Sequence, residues 1–162
     1  MLKKGMTALV TGGSGGIGSA VVKTLAARGV TVIAASNDDD KLKALEGIEN
    51  VETCLVDVRD FTKLKELFGG REIDAVINAA GVLGVTGTIY SVPHESAQEI
   101  LDVNVVGIHN VLSSVVPGMV ERNRGHIVNI GSLAGPYPSA GQPMYSASKA
   151  AVHNMSANLR ME

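Results

Sequence analysis

Residues 7–18 of the chain read TALVTGGSGGIG. Thr7–Thr11 is a short apolar run bounded by glycines, which is typical of a buried strand. From Ile17 to Arg28 apolar residues recur at helical spacing, and Gly29 is a stop signal. Glycines between a strand and a helix let the backbone approach a pyrophosphate, and the helix N-terminus adds N–H groups and a positive dipole. This stretch therefore predicts a nucleotide-binding strand–loop–helix unit.

Three glycine patterns overlap in this loop: G-x-G-x-x-G from Gly13, G-x-x-G-x-x-G from Gly12, and T-G-x-x-x-G-I-G from Thr11. The loop alone therefore leaves the family of dinucleotide-binding proteins open. A merely flexible turn is the alternative, which the flanking strand and helix disfavour. The residues expected at a cofactor here are Gly12, Ser14, Gly16, Ile17 and Gly18.

Apolar runs and amphipathic segments alternate along the rest of the chain. Further strands are predicted at residues 31–35, 51–56, 73–78 and 126–130. Helices are predicted at residues 41–45 and 61–68, from about 95 to 119, and from 145 to the end. This alternation implies right-handed crossovers and a parallel sheet covered on both faces. We expect an α/β fold, a doubly wound, Rossmann-like parallel sheet of about five strands, in a single domain over residues 1–162.

Composition and charge exclude several classes of protein. The chain carries 14 Lys+Arg against 16 Asp+Glu, a net charge of −2, so the basic footprint of a nucleic-acid binder is absent. The sequence contains no run of about 18 apolar residues, so it predicts no membrane span, and it shows no apolar leader. The single cysteine, Cys54, can form neither an internal disulfide nor a thiolate cage. We expect a cytoplasmic protein that binds neither nucleic acid nor membranes.

Ligands of doubly wound sheets bind beyond the carboxyl ends of the strands. At the second strand end an acidic residue favours NAD, and an Arg receives the 2′-phosphate of NADP. Ser36 and Asn37 stand there instead, with no Arg nearby in the sequence, so the choice between NAD and NADP stays open. The later strand ends supply further candidates, for which turn chemistry is the alternative: Asp57, Val58, Asn78, Ala80 and Gly81.

Tyr145 and Lys149 are four residues apart on a predicted helix and therefore share a face. An ammonium group beside a phenol favours the phenolate, which makes Tyr145 a credible general acid or base. Ser132 ends the fifth strand and is placed to hydrogen-bond a carbonyl oxygen. An isolated Y-x-x-x-K usually marks an exposed helix face. Here the glycine loop and Ser132 belong to the same sheet edge, which favours a catalytic site.

The chain resembles the short-chain dehydrogenase/reductase family in its compact single-domain form. The motifs that carry the resemblance are Thr11-Gly12-x-x-x-Gly16-Ile17-Gly18, Asn78-Ala79-Ala80-Gly81, Asn104, Ser132 and Tyr145-x-x-x-Lys149. It implies NAD(P)-dependent interconversion of a small alcohol and a carbonyl, with Tyr145 as acid/base and Ser132 orienting the carbonyl. Lys149 would bind the nicotinamide ribose, and Asn104 would hold a water in a proton relay behind it.

The resemblance also implies a place for the other strand-end residues. Asp57 and Val58 would lie at the adenine, and Asn78 and Ala80 near the centre of the cofactor. Ile17, the Asn78-Ala79-Ala80-Gly81 segment and the Ser-to-Tyr spacing favour this form over the sugar-epimerase-like branch. Residues 116–132 are similar to the 3-hydroxy acid (serine-type) dehydrogenase and sulfoacetaldehyde reductase group. This similarity slightly favours NADP(H) as the expected cofactor.

Family members commonly pair two helices across a homo-oligomer interface, in dimers or tetramers. The residues expected on that face are Val105, Ile108, Val111, Leu112 and Val152. Family members also continue through two more strands and a mobile substrate-covering segment. The expectation is thus a domain without those parts, whose pocket comes from loops 82–93 and 133–144. A non-catalytic dinucleotide-binding module is the alternative to an enzyme.

Overall fold

The computed structural model describes residues 2–162, and Met1, the first residue of the predicted domain, lies outside them. Five parallel strands form one sheet in the order β3-β2-β1-β4-β5. The strands are β1 (Thr7–Thr11), β2 (Thr31–Ser36), β3 (Val51–Leu55), β4 (Ala75–Asn78) and β5 (His126–Asn129). The helices are α1 (Gly16–Ala26), α2 (Asp39–Lys43), α3 (Phe61–Phe68), α4 (His94–Leu101), α5 (Gly107–Glu121) and α6 (Pro143–Leu159). The doubly wound α/β fold is confirmed.

Two apolar layers bury the two faces of the sheet, because successive strand side chains point to opposite faces. Leu9, Ile33 and Val76 pack with α3 and α5 on one face. Val10 and Val32 pack with α1 and α2 on the other. Residues that follow the carboxyl ends of β1, β2, β3 and β4 come together at that edge of the sheet.

The helix expected from about residue 95 to 119 is interrupted. A π-helical turn, Asp102–Val106, joins α4 to α5. The apolar spacing continues through this turn, so the sequence pattern did not indicate the change in hydrogen bonding. π turns inside α-helices occur frequently at functional sites. This one carries Asn104, one of the candidate site residues.

The helical run His94–Glu121 is long and apolar enough, by length and composition alone, to cross a membrane. The sequence predicted no span. Half of the most apolar window of this run is buried inside the chain, and the core helix of a soluble protein passes the same test.

Four of the five residues expected on an oligomer face are buried within the chain, and the fifth, Val105, is partly exposed. Ile108, Val111, Leu112 and Val152 are all at most 7% exposed within the chain itself. Val111 belongs to the layer under α5, and the other three form a small cluster between α5 and α6. Ile108, Val111 and Val152 are therefore core side chains, and for these three residues the prediction of a partner face is wrong. Leu112 also lines an open groove between α5 and α6, so its place on an oligomer face stays a prediction.

A row of polar side chains crosses the carboxyl ends of three strands. Thr11, Asn78 and Asn129 are register neighbours on β1, β4 and β5. Thr11 Oγ1 donates to Asn78 Oδ1 (3.4 Å), and Asn78 Nδ2 donates to Asn129 Oδ1 (2.8 Å). Asn129 Nδ2 donates to Ser156 Oγ on α6 (2.9 Å). This polar ladder connects the strand before the glycine loop to the helix that carries Tyr145.

Replacing Asn78 by Ala should destabilise the fold by about 1–3 kcal/mol, because the buried Thr11 hydroxyl loses its acceptor and the partly buried oxygen of Asn129 loses its donor. The free energy of unfolding, measured by urea denaturation, checks this. Asn158→Ala, at the exposed end of α6, is the matched control and should change stability by less than about 0.5 kcal/mol. Equal effects of the two substitutions would show that the ladder adds nothing.

Candidate functional site

A cleft of about 270 Å³ opens beyond the carboxyl ends of β1 to β4. It lies between β1 and β4, where the strand order reverses, which is the position at which such sheets bind ligands. The candidate cofactor residues that line it are Gly12, Ser14, Ser36, Asn37, Asp57, Val58, Ala80 and Gly81. Asn78 is not among them, since its side chain is 1% exposed and engaged in the polar ladder.

The glycine loop is shaped by contacts that exclude a side chain. Gly12 has φ +62°, and a Cβ there would lie 2.7 Å from the backbone of Ala80. A Cβ at Gly18 would lie 2.1 Å from the carbonyl oxygen of Gly12, so the first turn of α1 rests directly on the loop. Gly18 therefore contributes to ligand binding indirectly, because it determines the shape of the glycine loop. Gly16 has open space around it, and the Ile17 side chain is exposed.

The N-terminus of α1 faces this loop without a side-chain cap. Uncapped N–H groups at a helix start are donors for an anion. Next to them, the hydroxyls of Ser14 and Ser36 hydrogen-bond to each other at 2.7 Å. This part of the cleft therefore offers backbone N–H groups and two hydroxyls to a polar ligand.

Two cations that sequence reasoning missed also line the cleft. The sequence shows no Arg beside Ser36, but the structure brings Arg59 to the same end of the cleft, together with Lys41. Arg59 Nε and Nη2 hold the two oxygens of Asp57 at 3.0 and 2.6 Å. Lys41 Nζ lies 2.6 Å from Asp38 Oδ2. The available signal was the position of Arg59, two residues beyond a strand-end Asp.

The Arg59 guanidinium lowers the pKa of Asp57 from 3.8 to about 2, with help from the Arg59 backbone N–H and the Asn37 amide. The carboxyl group is thus an anion at any pH near neutrality. Since the folded-state pKa is below the unfolded one, the pair stabilises the fold fully above about pH 5 and progressively less as the pH falls toward 2.

We expect Asp57→Asn to lose about 1 kcal/mol of stability at pH 7, a small value because half of the Arg59 side chain is solvated. The difference from the unsubstituted chain should stay constant above about pH 5 and shrink between pH 4 and 2. Urea unfolding across this pH range measures it. A difference that persists undiminished at pH 2 would contradict the assigned cause.

Helix α6 presents Tyr145 and Lys149 beside the end of β5. Its Pro143 fits the first helical turn, where a missing N–H is tolerated. Lys149 Nζ lies 5.7 Å from the centre of the Tyr145 ring and donates to the carbonyl of Ile130 at 2.8 Å. Lys149 is only 6% exposed, and burial lowers the pKa of its ammonium group. Within residues 2–162 the Tyr145 hydroxyl has no hydrogen-bond partner, so it is available to a ligand.

Asn104 clamps the loop after β4 onto α6. Its Oδ1 accepts from the N–H of Val82 (2.8 Å), and its Nδ2 donates to Val82 O (2.9 Å) and to Ser148 Oγ (3.0 Å). Both amide hydrogens are therefore used by the protein. Gly81 lies beside this clamp, since a Cβ there would be 3.2 Å from Asn104 Oδ1 and 3.8 Å from Lys149 Nζ. The expected water behind Lys149 stays a prediction.

Ser132 lies three residues beyond β5. Its Oγ accepts from the N–H of Ala134 at 3.1 Å, which leaves the hydroxyl hydrogen free to donate to a ligand. The carbonyl of Ser132 lies 3.0 Å from His153 Nε2 on α6. The sequence patterns did not point to His153, so this contact was missed.

The geometry defines a class of protein. A Rossmann-like sheet carries a cleft at its reversal point, and one end of this cleft, at Gly81, meets the Lys149 ammonium. The family model described as short chain dehydrogenase matches residues 6–162. The chain belongs to this family.

Individual relatives agree with this assignment. The chain is 38% identical to the NADP-dependent 3-hydroxy acid dehydrogenase YdfG of Salmonella typhi over 97% of its length, and 34% identical to YdfG of Escherichia coli K12. It covers 66% of each, so it spans about two thirds of these curated relatives. The crystal structure of serine dehydrogenase from Escherichia coli superimposes with a TM-score of 0.92 at 34% identity, over 96% of this chain and 76% of that one.

A second structure of the same kind adds a ligand. It is described as the closed form of serine dehydrogenase complexed with NADP+, with a TM-score of 0.92 and 34% identity. The match covers 96% of this chain and 66% of the serine dehydrogenase chain.

Proposed function

We propose that the chain is the dinucleotide-binding and catalytic domain of an NAD(P)-dependent oxidoreductase acting on a small alcohol or carbonyl compound. One observation carries the proposal: Lys149 and Tyr145 lie on one helix, and a Cβ on Gly81, which lines the cleft, would be 3.8 Å from the Lys149 ammonium. A ligand that begins at the glycine loop and follows the cleft therefore arrives at these two side chains.

The residues present fit a dinucleotide. Gly12 has no room for a side chain beside Ala80, and the uncapped start of α1 supplies donors for a pyrophosphate. Asp57 and Val58 line the other end of the cleft, where an adenosine would lie. At the Gly81 end the Lys149 ammonium is within reach of ribose hydroxyls. Bound NAD(P)H supplies the hydride for carbonyl reduction, and NAD(P)+ accepts it in the reverse direction.

The proposed roles of the side chains follow from their free hydrogen-bonding groups. The Ser132 hydroxyl donates to the substrate oxygen and orients it, because the bond that Oγ accepts from Ala134 leaves its hydrogen available. Tyr145 passes a proton to that oxygen in reduction and removes it in oxidation. Lys149 holds the nicotinamide ribose and places a positive charge beside the Tyr145 ring. Asn104 keeps the loop after β4 and α6 at a fixed separation.

The finer choices rest on the relatives. Proteins named for NADP and for 3-hydroxy acids favour NADP(H) as cofactor and a 3-hydroxy acid or aldehyde as substrate. In this chain Arg59 and Lys41 are the cations at the ribose end that a 2′-phosphate would meet. Arg59 Nη1 makes no hydrogen bond to a residue between 2 and 162 and is free to donate to a phosphate oxygen. A homo-oligomer remains a prediction.

Tyr145→Phe should reduce carbonyl-dependent NADPH oxidation by at least about 100-fold, the lower range of what a positioned acid/base contributes. The dissociation constant for NADPH, measured by fluorescence titration, should change by less than about threefold, since only the hydroxyl is removed. Turnover retained by the variant would refute the assigned role of Tyr145. NADPH binding without turnover in the unsubstituted chain would favour the non-catalytic module.

Arg59→Ala should weaken NADPH binding by about tenfold or more while NADH binding changes several-fold less, because only NADPH carries the 2′-phosphate. Calorimetric titration with both cofactors measures this. Arg71→Ala is the matched control, since Arg71 pairs with Glu52 in the same bidentate manner outside the cleft. Equal losses for NADH and NADPH would place the 2′-phosphate elsewhere.

A further inference from the structure

We propose that His153 is a positioning residue of the active site, which holds the backbone of Ser132 in place so that the Ser132 hydroxyl meets the substrate oxygen. The inference rests on the proposed function for its catalytic consequence. The contact between His153 and Ser132 does not depend on the proposed function, because His153 touches neither the cleft nor the groups that would react.

The carbonyl of Ser132 accepts two hydrogen bonds. One comes from the N–H of Gly135 at 3.1 Å, which closes the turn after β5. The other comes from His153 Nε2 at 3.0 Å. A carbonyl oxygen can only accept, so Nε2 must carry the hydrogen. The imidazole therefore reaches from α6 to the same oxygen that closes the turn.

The loop is shaped to admit the imidazole ring. A Cβ on Gly131 would lie 3.0 Å from His153 Nε2, and a Cβ on Gly135 would lie 2.7 Å from His153 Cδ2. The same Cβ on Gly135 would be 3.0 Å from the backbone of Lys149. Glycine on both sides of Ser132 thus lets the loop lie against α6 and lets the ring edge fit between them, although the residue as a whole is exposed.

The contact repeats one made a turn earlier on the same helix. Tyr145, Lys149 and His153 are spaced four residues apart and share a face of α6. Lys149 Nζ donates to the carbonyl of Ile130, and His153 Nε2 donates to the carbonyl of Ser132. Two donors of one helix therefore hold the segment after β5 at two points, one on each side of Gly131.

The consequence for the reaction is geometric. Ser132 follows a strand end, whereas Tyr145 lies on α6, so the separation of their two hydroxyls depends on how this segment is fastened to the helix. The His153 contact fastens it at Ser132 itself. Without that contact the Ser132 backbone retains only the bond from Gly135, and the two hydroxyls no longer hold one carbonyl oxygen in a fixed position.

The first test needs no turnover. In the full chain labelled with ¹⁵N-histidine, the NMR spectrum of His153 near pH 8 should show the Nε2-protonated tautomer. The Nδ1-protonated tautomer would overturn the proposal. This result does not depend on whether the chain is an oxidoreductase.

The second test is kinetic. His153→Phe keeps a flat ring and removes the donor, and we expect kcat for carbonyl reduction to fall about three- to tenfold with the NADPH dissociation constant unchanged. His153→Gln retains an N–H donor and should restore part of kcat. The control is His126→Phe at the opposite end of β5, which should leave kcat unaltered.

An unchanged kcat in His153→Phe would overturn the positioning role. A Phe variant that loses NADPH binding in parallel with kcat would also overturn it, because that pattern reports general damage to the fold. Failure of the proposed function is recognised separately, by turnover that survives in Tyr145→Phe.

Discussion

The polar ladder at the carboxyl ends of β1, β4 and β5 is the constraint on which the site depends. Its members are side chains on strands that are otherwise apolar, and two of them are almost completely buried. Buried amides are tolerated only when they are paired, so Asn78 fixes the register of its neighbours Thr11 and Asn129. Through Ser156 the same row reaches α6. The glycine loop and the Tyr145 helix are thereby attached to one rigid frame.

Electrostatics divide the cleft into two different ends. At one end Arg59 and Lys41 are each paired with a carboxylate, so the local charge is balanced. At the other end Lys149 is buried beside a carbonyl oxygen, and among the described residues no carboxylate pairs with it. Burial of an unpaired ammonium is unfavourable, which its lowered pKa expresses. Hydroxyl groups of a bound ligand would supply the acceptors that this end of the protein lacks.

The local patterns predicted more of the fold than of the site. Short apolar runs and stop glycines placed all five strands, because burial on both faces leaves a continuous apolar signal. Hydrogen bonding did not show in those patterns, so the π turn at Asn104 was missed. Arg59 was missed although it pairs with Asp57 two residues earlier, since the sequence does not show that this pair lies at the same end of the cleft as Ser36. His153 was missed because its contact joins α6 to the segment after β5. Ile108 was assigned to a partner face because apolar spacing cannot distinguish an interface from a core.

The central claim is that one dinucleotide would extend from the glycine loop to Lys149. A crystal structure of the chain with NADP+ tests it most directly. The account predicts the pyrophosphate at the N-terminus of α1, the adenosine beside Asp57, and the nicotinamide ribose within hydrogen-bond distance of Lys149 Nζ. A cofactor bound elsewhere, or one whose nicotinamide ribose lies away from Lys149, would contradict it.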